Sequence, residues 1–544
     1  MVAFLESFSK FTVFIFFTII FWLTFPPTYV LVTPLYLYRL IVKWVARRRH
    51  PEWVGMMNVR DVFVSEDMRN PKGLTSTVSL ILVLKGVPNY TELRKSFTEK
   101  VLLQPDKLGE LAYEKFHYYS EDWMGFPFWK HEENFSLEQH IRPCEETLGR
   151  KETTERDLME IMGPLTTKLF MPKTSPWEMI IVENYKPATL PCKDKGKIPI
   201  YCFSNNNNNN NNNDNPDDNK NARPQVSEED RFAVIFRFHH TLCDGFSVAK
   251  LIVENFSGQP KQNTPRAPRE KIPFWKSVLL FMDCFIQVGI AHFKLLILDY
   301  DFNRWHVPLG KLTGKWNTFM TDPIPFELAR EASRRSGVAT TSVLFGAIAG
   351  GIRRFWKLND KSGSDMPKLM RGLFALPMRG HPLDGLVNHW TFANVPLPLK
   401  YPDVQKRLEK INRNFEQLKK SAVPGMVWAF TPLYMAVPRW LINLWGANRM
   451  TTVTLSNFPG PRKACLLFER WPVEDTWYWL PRLRGNASMH MAILTYNGSI
   501  RITVAADKYV LESKQAQKLA QCIQEEMYSF QDLPTRKELE IEIE

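Results

Sequence analysis

With 544 residues, 44% of them hydrophobic and 23% charged, the chain is too long for one ordinary domain and too apolar to be largely disordered; two domains of about 200 residues are expected. A formal net charge of +13 calls for an anionic partner, yet no RNA- or DNA-binding motif accompanies it, and a membrane surface or a CoA-type ligand accounts for it better. The seven cysteines are odd in number and show no paired spacing, which argues against a disulfide framework or a zinc site and fits a reducing compartment.

Residues 1–50 read as a membrane anchor. The run from Phe11 to Tyr38 is apolar and aromatic, interrupted by Pro26-Pro27 and Pro34. It exceeds the ~20 residues of a spanning helix and has no small-residue cleavage site. A segment with no polar face is poorly suited to the surface of a soluble core. Glu6 and Lys10 roughly cancel before it, whereas Arg39, Lys43 and Arg47 to Arg49 follow, so the body is expected in the cytosol. A kinked hairpin entering and leaving on the cytosolic face gives the same side. Five Asn-X-Ser/Thr sequons, at Asn89, Asn134, Asn255, Asn486 and Asn497, matter only if their segments are lumenal.

Residues 51–258 read as a first globular domain. Strands are predicted at Val78–Leu84 and Trp177–Glu183, and helices at Thr91–Leu102 and Leu158–Leu169. The insertion at 186–230 carries the asparagine run Asn205–Asn213 and reads as a disordered surface loop. Residues 259–324 form a linker. Its Phe274–Leu298 stretch is apolar but holds Asp283, His292 and Lys294, so a helix lying on the membrane or the body is preferred to a second span. Residues 325–544 form a second domain, with helices at Glu327–Arg335, Thr341–Trp356 and Lys514–Tyr528. Strands are expected at Gly372–Pro377 and Phe392–Leu399. Gly425–Trp445, broken by Pro432 and Pro438, reads as a lid or a membrane-dipping element. Asn497-Gly498 marks a hairpin between Ala487–Tyr496 and Ser499–Ala506.

The chemistry concentrates at the end of another predicted strand, Phe232–Phe238, which runs into His239-His240-Thr241-Leu242-Cys243-Asp244-Gly245. A histidine at a strand end can take a proton from a hydroxyl near neutral pH. An aspartate four residues on can hold the loop, and a glycine after it permits a turn that a Cβ would obstruct. That set suits acyl transfer. A buried core histidine pair is the plainer reading of the same residues.

Several ordered blocks carry a family resemblance. They are Phe128-Trp129-Lys130 through Arg142, Pro176-Trp177-Glu178-Met179, and the His239–Gly245 segment, which fits HHxxxDG at each fixed position. Leu376-Pro377-Met378-Arg379, Asn388 through Pro398, and Leu455-Ser456-Asn457-Phe458-Pro459-Gly460-Pro461 follow. After residue 50 the chain resembles the bifunctional wax ester synthase/diacylglycerol acyltransferase family, within the CoA-dependent acyltransferases. It departs in its N-terminal anchor, in the asparagine insertion, and in Val387-Asn388 where Gly-Asn is usual.

The resemblance implies an α/β fold of two chloramphenicol-acetyltransferase-like mixed-sheet domains with a channel between them, beside the N-terminal membrane helix. It implies transfer of a fatty acyl group from acyl-CoA to a long-chain alcohol or diacylglycerol. His240 would be the general base, within a catalytic group that includes His239, Asp244 and Gly245; His239 itself reads as structural. Asp244 would pair with a buried arginine. Ser456, Asn457, Pro459, Gly460 and Asn388 would bind substrate, with Asn457 stabilising an oxyanion, shaping the channel or serving as a turn residue. Acyl-CoA enters as co-substrate, with no cofactor, no metal and no nucleic acid. The membrane is the other partner. The endoplasmic reticulum is the expected location, with lipid droplet or plasma membrane as alternatives. The competing functions are a same-fold enzyme with a sterol or amine acceptor and a non-catalytic lipid-binding protein.

Overall fold

The computed structural model describes residues 2–65, 76–190, 202–203, 230–257, 273–293 and 300–534, apart from 309, 361–364, 383, 446–449, 482–484 and 486. The asparagine run, most of its insertion and the proline-rich part of the linker lie outside the described residues.

The strand that ends in the histidine motif, Arg231–His239, is buried along almost its whole length. It sits between Thr77–Lys85 and Trp177–Val182, antiparallel to both, with Phe236 opposite Leu80 on one side and Met179 on the other. Apolar clusters cover both faces. Phe97, Phe116 and Phe256 lie in one, Leu158, Met162 and Trp477 in the other. Cover on two sides is why the strand reads as a nearly continuous apolar run rather than a clean alternation. Ile141–Pro143 extends this six-stranded sheet on one side, parallel to Trp177–Val182. On the other side the added strands come from the far half of the chain. Trp471–Trp479 pairs with Thr77–Lys85, placing Trp477 opposite Ile81, and Leu466–Leu467 forms the edge. The boundary drawn at residue 325 from sequence therefore does not separate the sheets: the second half completes the first sheet.

The second sheet runs Trp316–Met320, Ser499–Asp507, Met489–Tyr496, Val453–Pro459, Leu369–Pro377, Trp390–Pro398, with Ile324–Pro325 also paired to Ser499–Asp507. Val453–Pro459 is parallel to both neighbours. The expected hairpin is present, and Asn497 and Gly498 take φ of 45° and 77°, the left-handed values such a turn demands. Thr340–Asn359 and Ser513–Ser529 pack closely, because Gly351 lacks the Cβ that would lie 2.5 Å from the Ile523 Cα.

Val2–Arg49 is one helix that continues through Pro26, Pro27 and Pro34, so the hairpin alternative gives way to a single rod. Its Ile15–Arg49 part is long and apolar enough to cross a membrane by length and composition. Phe274–Phe293 packs against it. Thr18 Oγ1 donates to the Ile286 carbonyl (2.9 Å), Trp22 stacks on Phe285 at 4.0 Å, and Gly289 admits the backbone at Phe17. The Gly425–Trp445 segment resolves into helices Val423–Met435 and Arg439–Trp445. The first of these joins the same bundle, where Tyr36 donates to the Leu433 carbonyl (3.0 Å).

Arg501, 2% exposed on the central part of the second sheet, spans the two sheets. It donates to Asp475 Oδ2 (2.8 Å) on Trp471–Trp479 and to the Thr321 carbonyl (2.8 Å), with Glu155 Oε2 at 3.8 Å. Replacing one partner of a buried pair leaves an uncompensated charge. Arg501→Met is expected to destabilise the protein by about 3–5 kcal/mol, read as a lower melting temperature of the solubilised protein. An unchanged melting temperature would show that the bridge does not hold the sheets together.

Candidate active site

The two halves meet where Arg231–His239 ends. His239 and His240 then diverge. His239 is 2% exposed and faces its own loop, its Nδ1 lying 2.9 Å from Thr241 Oγ1 and accepting the Thr241 N–H (3.2 Å). His240 is half-buried, its backbone N–H donating to the Ser76 carbonyl (2.8 Å), and its ring lines a cavity of about 340 Å³ between the sheets.

That cavity is apolar over most of its wall. Leu80, Phe238 and Val248 come from the first sheet and its loop; Leu373, Leu376, Trp390 and Leu455 come from the second. Its volume falls in the range of small-molecule sites. Ser456, Asn457 and Pro459 line it from Val453–Pro459. Ser456 Oγ accepts from Tyr478 Oη (2.8 Å). Gly460 borders a smaller neighbouring pocket of about 40 Å³, where a Cβ would lie 2.4 Å from the Thr495 carbonyl. Close strand packing is thus reason enough for a glycine there.

Asn388 is half of the polar arrangement on His240 and does not line the main cavity. Its Nδ2 donates to Asp61 Oδ1 (2.9 Å), to the His240 carbonyl (2.8 Å) and to the Thr241 carbonyl (3.3 Å). Three acceptors around one nitrogen fix which way the amide faces. Oδ1 is left 3.1 Å from His240 Nδ1, so Nδ1 carries the proton and Nε2 the lone pair. Burial pushes His240 below its ordinary pKa, which keeps the ring neutral at pH 7. The Trp390 ring lies 5.4 Å from it, centroid to centroid.

Asp244 is 4% exposed and meets no arginine among the described residues. Both its oxygens lie 3.1 Å from His381 Nε2, and they accept the N–H groups of Ser247 (2.9 Å) and His389 (2.7 Å). A histidine thus stands where an arginine was expected, and the buried Arg237 is committed elsewhere, to Glu178 and the Lys168 carbonyl. Gly245 also departs from expectation. It has no left-handed φ and a Cβ there would meet nothing within 4 Å. Its contribution is to the cavity wall it lines. Cys243 is 2% exposed, and burial, with Asp244 nearby, pushes its thiol far up, leaving no thiolate for covalent chemistry.

Sequence reasoning missed Asp61, Lys115, His381 and Trp390. Each lies outside HHxxxDG; Trp390 falls within the Asn388–Pro398 block and His381 just beyond Arg379, whereas Asp61 and Lys115 lie in no segment that the sequence singles out.

The model of the WS/DGAT C-terminal domain matches residues 386–531. Over those residues the chain is similar to the C-terminal domain of that family. A provisionally named diacylglycerol O-acyltransferase of Mycobacterium tuberculosis, found in two strains, is 27% identical over 213 residues, 37% of this chain. The match spans 43% of the length of those curated relatives. Among solved structures, the wax ester synthase/diacylglycerol acyltransferase of Marinobacter aquaeolei VT8 aligns with a TM-score of 0.54 at 15% identity, over 88% of this chain and 98% of its own. The first condensation domain of the CDA synthetase aligns at 0.55 with 10% identity, over 88% and 97%. The trichothecene 15-O-acetyltransferase of Fusarium sporotrichioides aligns at 0.53 with 11% identity, over 87% and 94%. The fold that these solved structures share, two mixed sheets with a cleft between them, is therefore the fold of this chain.

The Asp244–His381 clamp gives stability a sign with pH. Burial works against charge on His381, but the hydrogen bond and charge of Asp244 outweigh it and raise its pKa. Burial likewise pushes Asp244 up, and His381 with the N–H groups of Ser247 and His389 more than reverses it, so its pKa is lowered. The raised histidine contributes stability fully below about pH 6.5, lost as pH climbs through its folded value. The lowered aspartate contributes above about pH 3.9, lost as pH falls through its folded value. The clamp is thus strongest between those limits. The melting-temperature gap between wild type and Asp244→Asn is expected to narrow as pH rises from about 6.5; a gap independent of pH would contradict the ion pair.

Proposed function

We propose that this protein is a WS/DGAT-family, acyl-CoA-dependent O-acyltransferase that esterifies a long-chain alcohol or diacylglycerol at the endoplasmic reticulum membrane, its body in the cytosol. The observation that carries the reading is the lone pair of His240 Nε2, set by Asn388 on a ring that lines an apolar cavity between the sheets. The acceptor hydroxyl gives its proton to Nε2 as its oxygen attacks the thioester carbonyl. The tetrahedral oxyanion collapses, the C–S bond breaks, and the proton passes from the imidazolium to the leaving CoA sulfur. Asn457 on the cavity wall is the proposed partner for the oxyanion. No acyl-enzyme is needed.

A lipid acceptor suits an apolar wall better than a water-soluble one does. The N-terminal helix, bundled with Phe274–Phe293 and Val423–Met435, brings the body to the bilayer in which such acceptors dissolve. Acyl-CoA arrives from the cytosol, drawn by the basic cluster Arg47 to Arg49 and the overall charge.

Membranes holding the protein, supplied with radiolabelled acyl-CoA and a panel of hexadecanol, dioleoylglycerol, a sterol and a fatty amine, are expected to yield wax ester or triacylglycerol. His240→Ala is expected to lose about 10²–10⁴-fold in turnover. Near wild-type turnover in that variant would overturn the mechanism, and labelling confined to the sterol or the amine would overturn the acceptor.

Protease added to sealed microsomes is expected to digest the body and leave its sequons unglycosylated. A protected or glycosylated body would reverse the orientation.

A further inference from the structure

We infer that Asp61 and Lys115, an ion pair of a buried carboxylate and a half-buried ammonium distant in sequence from the histidine motif, are positioning residues that set the basicity of His240 through Asn388; the inference rests on His240 being the base. Asp61 belongs to the one-turn helix Val59–Val62 and is 3% exposed. Its two oxygens are divided between two donors. Oδ1 accepts from Asn388 Nδ2 (2.9 Å) and Oδ2 from Lys115 Nζ (3.0 Å), which also donates to the Leu242 carbonyl (3.3 Å).

The arrangement is a chain of four groups: ammonium, carboxylate, amide, imidazole. A carboxylate on the amide nitrogen polarises the amide and makes Oδ1 a stronger acceptor. The bond from Nδ1–H then tightens as Nε2 takes a proton and the ring becomes cationic. Lys115 tempers this, because it holds the pair near electroneutrality. A pair serving structure alone would tie the segment of Asp61 to that of Lys115 and stop there. The carboxylate oxygen spent on Asn388 is what connects the pair to the ring. Buried ion pairs are costly unless their geometry is used.

Other charges also face the ring. Asp244 and His239 lie in its own loop, and His381 and His389 lie behind Asp244. The test therefore changes only the pair and reads a direction. Asp61→Asn keeps the shape, removes the negative charge and leaves Lys115. It is expected to lower kcat about 10–100-fold with little change in KM for acyl-CoA, and to move the acid limb of the kcat–pH profile about one pH unit lower. Lys115→Gln leaves the carboxylate uncompensated and is expected to move that limb higher.

Opposite displacements in folded proteins are the predicted result, since loss of packing alone would not give opposite signs. Limbs that coincide with wild type, or move the same way, would overturn the proposal. If Asp61→Asn does not fold, the direction in Lys115→Gln decides. His240→Ala, assayed alongside, separates the two readings. If it stays active, His240 is not the base. If it is inactive while both pair variants keep the wild-type profile, only the role of Asp61 and Lys115 falls.

Discussion

A buried carboxylate holds this molecule together at the point where its chemistry is expected. Asp244 leaves the first sheet immediately after the histidines, and the groups on its oxygens include His381 and the His389 N–H from the other half. The Asp244 N–H in turn donates to the Val387 carbonyl. Asn388 lies between Val387 and His389, so the contacts that close the seam also deliver the amide to His240. Weaken the clamp and the imidazole loses the partner that fixes its proton. A charged group spent this way stabilises only while it is fully satisfied, and Asp244 is.

The two halves are further bound by exchange of structure. Trp471–Trp479 leaves the second half to pair with Thr77–Lys85 in the first sheet, and Arg501 then ties that strand to the second sheet. The cavity lies between a first sheet that needs strands from both halves and a second sheet that the second half supplies. Its apolar wall and half-buried histidine form a site where a neutral imidazole is favoured and water is scarce, two conditions under which a general base works well.

Much of this was legible in the sequence, for a definite reason. The strand Arg231–His239 and the motif that runs on to Gly245 are contiguous, so pattern and chemistry occupy one stretch of fifteen residues. The Asn497-Gly498 hairpin is equally local, because its turn demands left-handed backbone at both positions. The Asp244 partner was not legible: buried carboxylates more often find arginine, and nothing local announces that His381, 137 residues away, takes that place. Asp61 meets Asn388 across 327 residues, beyond the reach of any periodicity. Nor does the aromatic run of Trp471–Trp479 say which sheet it joins; it reads only as a strand-forming segment. Gly245 shows the opposite error, a glycine read as a backbone necessity whose surroundings leave room for a Cβ.

The most direct measurement is a structure of the detergent-solubilised protein bound to a non-hydrolysable thioether analogue of a long-chain acyl-CoA. The account predicts the sulfur and the adjoining carbon beside His240 Nε2, with the acyl chain along the wall formed by Leu80, Trp390 and Leu455. An analogue seated elsewhere, with its sulfur out of reach of His240, would contradict it.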